Sequence, residues 1–140
     1  MSREEVAQKE EPKEKLLEVF KDFKLELRTS KGQDPYKVYY LRTFKPKNDK
    51  IDYKKLRSIV RSLQRKHKNY GYCLEKQGDF LVFRAKKVKA LDMPIYFNTK
   101  ENKVYVREED AKANPRLLSY VLFRMLNQIM SLDFVETRIT

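Results

Sequence analysis

No stretch of this 140-residue chain stays apolar for more than four residues in succession. Its apolar residues come in short groups with two periods, three-and-four in some segments and two in others. A chain patterned this way buries one face of each element, which points to amphipathic helices and half-covered strands. It also excludes a membrane-spanning helix, which needs about 18 consecutive apolar residues. The opening 15 residues are polar and charged and lack the apolar centre of a secretory signal. A soluble, cytoplasmic protein is expected.

The three-and-four rhythm marks two main helices. Behind Asp52, a suitable N-cap, Tyr53, Leu56, Val60, Leu63 and His67 recur at alternating spacings to about residue 68, with Ile59 beside them. Asn114 and Pro115 open the second, over 115–131, as cap and first helical residue. Its Leu117, Leu118, Val121, Leu122, Met125, Leu126, Ile129 and Met130 form a double stripe, widened by Tyr120 and Phe123. A short N-terminal helix over 12–24 is expected from Leu16, Leu17, Val19, Phe20 and Phe23. Leu25 and Leu27 either extend it or open a strand. Strands are expected at 36–44, 70–76, 80–89, 95–98, 103–107 and 134–139, with hairpin turns at 77–79 and 99–102.

Residues 1–11 are expected to form a flexible arm and 12–140 a single α+β domain. The element order suits a mostly antiparallel sheet with two main helices on one face. The sheet is either a split βαβ arrangement of the ferredoxin type, with the 95–107 hairpin inserted, or a curved sheet resembling half of a TATA-binding protein. Periodicity does not choose between them. Either leaves one sheet face open.

Charge then separates the possible functions. The net charge is +12, and residues 31–70 hold 13 basic against 3 acidic side chains. A solubilising surface, including the Lys- and Glu-rich kind found in thermophiles, interleaves both signs. This segment does not, and a concentrated field of one sign attracts polyanions. At 3.6 residues per turn Lys54, Arg57, Arg61, Arg65 and Lys68 fall on one ridge of the first main helix, flanked by Lys55 and Lys66. No acid follows Asp52 before Glu75 to neutralise them. Like charges at these spacings repel by a few tenths of a kcal/mol per pair, a cost that bound phosphate would relieve.

A second candidate surface is the open sheet face. In 80–89, Leu81, Phe83 and Ala85 share one parity, so Phe80, Arg84 and Lys86 point the other way. In 36–44 the apolar parity of Val38, Tyr40 and Phe44 turns Tyr39 outward beside Lys37. Aromatic rings interleaved with cations supply base stacking and phosphate attraction together, about 1–3 kcal/mol per stacked base. The site expected is therefore Lys54, Arg57, Arg61, Arg65, Lys68, Tyr39, Phe80, Arg84 and Lys86.

Enzyme chemistry has few parts here. One His, one Cys and three Gly leave no metal-ligand set, no disulfide framework and no glycine-rich phosphate loop. His67 lies on the apolar stripe of its helix and Cys73 within a strand, so both read as structural. The run Glu108-Glu109-Asp110 is the one carboxylate cluster that invites a divalent ion and a nuclease reading; as a loop leading into a helix it has a simpler role. The expected protein is non-catalytic, without cofactor or bound metal, and binds nucleic acid, with single strands or RNA favoured over duplex DNA. The rival reading is a small accessory subunit of a nucleic-acid-processing complex. It would bind a protein partner, or a second copy of itself, through the wide apolar face of the 115–131 helix.

Overall fold

In a computed structural model that describes residues 14–33 and 35–139, the period-two segments pair into two antiparallel sheets. One contains β1 (Leu16–Glu18), β4 (Tyr72–Gln77), β5 (Phe80–Ala85), β6 (Ile95–Asn98) and β7 (Lys103–Arg107), in the order β1-β7-β6-β5-β4. The other contains β2 (Leu25–Lys31), β3 (Val38–Pro46) and β8 (Leu132–Arg138), with β3 central. The helices are α1 (Tyr53–Lys66), a short α2 (Glu108–Ala113) and α3 (Pro115–Ile129).

The α+β class, the antiparallel pairing and the two main helices are as the patterning predicted. The strands fall into two sheets where one was expected. A split βαβ sheet needs a helix joining two strands of the same sheet. Here α1 leads from β3 to β4, and α3 leads from β7 to β8, so each main helix connects one sheet to the other. Period two identifies a strand but says nothing about its neighbours, which are set by segments as distant as β3 and β8.

Both sheets and both main helices contribute to one core. Phe83, Ile95, Phe97 and Val106 face inward from the larger sheet, Leu25 and Phe44 from the smaller, Leu56 and Val60 from α1, and Leu118, Leu122 and Leu126 from α3. Leu81↔Phe97 and Phe83↔Ile95 pair directly, so this parity of β5 and β6 forms the floor beneath the helices. Gly78, at φ 61, makes the tight β4–β5 turn that the sequence marks. Asp52 caps α1 as expected, its Oδ1 accepting from the Lys55 N–H at 3.0 Å. The Asp52 N–H donates to the Ile129 carbonyl at 2.8 Å, fastening the start of α1 to the end of α3.

Of the helix expected over 12–24, the described residues 14–24 instead form a strand, a tight turn and an isolated bridge. The Glu18 carbonyl accepts from the Lys21, Asp22 and Phe23 N–H groups, and the Glu18 N–H donates to Asp22 Oδ2 at 3.2 Å. This tight turn, with Phe20 at φ 79, brings Val19 and Phe23 side by side into the core. Their four-residue spacing imitates a helical stripe, but a turn produces it. Residues 12 and 13, and the arm expected over 1–11, lie outside the described residues. The acidic run 108–110, expected as loop, opens α2, where carboxylates favour the positive end of the helix dipole.

Candidate nucleic-acid interface

Packing Leu56 and Val60 into the core turns the opposite side of α1 to solvent. Lys54, Lys55, Arg57, Arg61, Arg65 and Lys66 are all exposed, as is Lys68 in the 3-10 turn Lys68–Tyr70 that follows. None of these seven cations forms an ion pair among the described residues. The one side-chain hydrogen bond within the ridge among the described residues runs from Arg61 Nε to the Arg57 carbonyl at 3.4 Å. Asp52, two residues ahead of the ridge in sequence, has its carboxylate engaged as the cap. Five of the nine expected site residues thus stand together as an unneutralised ridge.

The ridge ends in an aromatic cluster that the sequence reading missed. His67, the C-cap of α1, stacks on Tyr70 with centroids 5.2 Å apart and planes 6° from parallel. Tyr72 meets both rings edge-on. Gly71 then turns the chain with φ 66. Its carbonyl accepts from the Lys86 N–H at 3.0 Å, and the Tyr70 carbonyl accepts from the Lys87 N–H at 3.1 Å. These bonds place exposed Lys87 against the cluster. The available signal was two tyrosines flanking the glycine that stops the helix, beside the end of a basic ridge.

The remaining four expected residues are arranged differently. Phe80 and Arg84 lie on the face of β5 away from the helices, as predicted, and Lys86 follows them. Each is engaged. Arg84 makes a two-point contact with Asp92, at 3.3 and 2.6 Å. Lys86 is paired with Glu75. These hydrogen bonds raise the pKa of both cations above their ordinary values. Phe80 is half-buried, its ring edge-on to Tyr96 and Tyr105. Burial pushes both of those phenols up to about 12, so they stay neutral.

Tyr39 does point outward, and is 46% exposed, but on the smaller sheet rather than beside Phe80. The stacking platform expected across one sheet is therefore divided between two. Moreover, α1 covers the inner face of the larger sheet, so its ridge and the Phe80 surface lie on opposite sides of that sheet.

The other chemistry weighed from sequence is internally satisfied. Arg107 grips Asp110 with two bonds, at 2.8 and 3.1 Å, and approaches Glu109 at 3.5 Å. Glu108 pairs with Lys15 and Lys112, which hold its carboxyl below the ordinary range. Among the described residues no three His, Cys, Asp or Glu side chains gather in a metal-binding group. Cys73 lies in β4, and burial raises its thiol pKa first, the Glu75 charge second. No helix among the described residues is long and apolar enough to cross a membrane.

The fold and site therefore define a two-sheet α+β protein whose basic helix is unpaired among the described residues. No family model matches the chain, and no curated protein or solved structure matches it.

Proposed function

We propose that this protein binds nucleic acid through α1 without catalysing a reaction, and that single strands or RNA are its preferred form. The supporting observation is the exposed ridge Lys54, Arg57, Arg61, Arg65 and Lys68, unpaired with any carboxylate among the described residues. Such a row costs repulsive energy in the free protein, and phosphates spaced along a strand relieve it. The His67–Tyr70 stack at its end, with Lys87 alongside, offers ring faces to an unstacked base. Arg84 and Lys86 contribute less to this reading, because each already has a carboxylate.

The test is a salt titration of binding to single- and double-stranded oligonucleotides. Five phosphate contacts on a single strand give a slope of log K against log salt of about −3.5, from about −0.7 per contact. Reversing Arg57, Arg61 and Arg65 together to Glu should abolish binding while the circular dichroism spectrum stays unchanged. Unchanged affinity in that folded variant, or association insensitive to salt, would refute the reading.

A second reading, the accessory subunit, draws on exposed apolar side chains. Val135 and Ile139 of the β8 segment and Tyr39 of β3 share one face of the smaller sheet, each more than two-fifths exposed. They suit a partner surface rather than a polyanion.

A further inference from the structure

We infer that the cleft between α1 and α3 is the docking site for an acidic, amphipathic helical segment of a partner protein. The cleft has a volume of about 310 Å³ and runs between the two main helices above the inner face of β4 and β5. Its walls are aliphatic and thioether: Ile59 and Leu63 of α1, Met93 from the loop before β6, and Val121 and Met125 of α3. At its mouth three large apolar side chains remain exposed, Leu91 at 41%, Leu117 at 38% and Tyr120 at 49%. Apolar groups crowded around one concavity mark a binding groove rather than scattered surface exposure.

The occupant follows from charge and shape. No Asp or Glu among the described residues lines the cleft, whereas Arg124 does. On α1, Lys55 precedes Ile59 by four residues and Lys66 follows Leu63 by three, so both cations border the apolar stripe. A basic rim around an apolar trough complements a helix with acidic flanks and apolar anchors at three- and four-residue spacing.

Two observations favour a peptide over a nucleobase. Of the two aromatic rings in the floor, Phe83 is buried and is covered by Tyr72, stacked on it at 5.5 Å. The ridge of Arg57, Arg61 and Arg65 also lies nearly half-way round α1 from Ile59 and Leu63, by about 160°. The ridge thus lies on the other face of the same helix, and the two readings meet at His67 and Tyr72, which line the cleft and belong to the aromatic cluster at the ridge's end.

The experiment is a methyl NMR titration of the full chain. One probe is a designed helical peptide with Leu and Phe on one face and Glu on the other; the second carries Lys in place of Glu. The Glu peptide should shift the methyls of Leu63, Met93, Leu117 and Met125, and the Lys peptide should leave them in place. Leu91→Asp combined with Leu117→Asp should weaken the Glu peptide about tenfold or more. Tyr120→Ala, a milder change at an exposed side chain, should weaken it in the same direction. The triple reversal of Arg57, Arg61 and Arg65 should change peptide affinity less than the cleft variants do. Equal binding of both peptides, no shift at millimolar Glu peptide, or displacement of the same methyls by a single-stranded oligonucleotide instead would each overturn the inference.

Discussion

Gly71 is where the basic helix hands the chain to the larger sheet, and no other residue type fits there without strain. Its φ of 66 lies in the left-handed region, which costs an L-residue about 1–2 kcal/mol. A Cβ at this position would also lie 2.9 Å from the Lys87 backbone nitrogen and 2.6 Å from its Cγ. Gly71→Ala should therefore destabilise the protein by about 2 kcal/mol, read from the urea midpoint at an unchanged slope. A different residue-scale effect comes from Glu136, which joins Lys31 and Arg42 at 2.6 Å each. The bond from Lys31, then that from Arg42, holds its carboxyl below the usual value. The folded state thus releases this proton more readily than the unfolded chain does. Its stabilisation is complete above the ordinary carboxylate pKa and fades as pH falls through the lowered one. Thermal melts of wild type and Glu136→Gln should differ at neutral pH and converge in acid.

At the scale of elements, α1 is built against its own interest. Arg61 has Arg57 and Arg65 one turn away on either side, and all three are exposed. Arg61→Glu exchanges two repulsive pairs for two attractive ones, so it should stabilise the free protein by about 0.5–1 kcal/mol while weakening oligonucleotide binding. Guanidinium denaturation is unsuitable because its salt screens the charges; urea at low ionic strength is the measurement. A loss of stability would mean that the ridge serves the fold. This element was readable in detail from its cap, stripe and stop, because helix signals are local. The turn at 18–23 was misread for the same reason. Local spacing cannot distinguish Val19 and Phe23 on a helical face from the same pair brought together by a tight turn. The interlocking of His67 with Tyr70 and Tyr72 escaped notice because it forms across the boundary between a helix and a strand.

Across the whole molecule, stability should be graded. All four residues of β6 are buried, and β5 and β7 pair with it on either side. The Lys31↔Val38 end of the smaller sheet is bordered by the exposed residues 35–37. Amide hydrogen exchange should therefore be slowest in β6 and at least about a hundredfold faster at the Lys31↔Val38 end, a difference of about 2.8 kcal/mol in local opening. Uniform exchange would show that the two sheets open as one unit.

What the sequence determined by itself was everything that depends on near neighbours along the chain. The helix cap at Asp52, the inward parity of Leu81 and Phe83 with Arg84 turned away, the hairpin at Gly78 and the basic row on α1 all follow from spacings of a few residues. Tertiary structure alone decided the assignments between distant segments. It divided the strands into two sheets and separated Tyr39 from Phe80. It also gave Arg84 and Lys86 carboxylate partners while leaving the α1 ridge without one among the described residues. The reason is that backbone hydrogen bonding and charge pairing join whichever groups the fold brings within about 3 Å, and that proximity is not encoded in any local period.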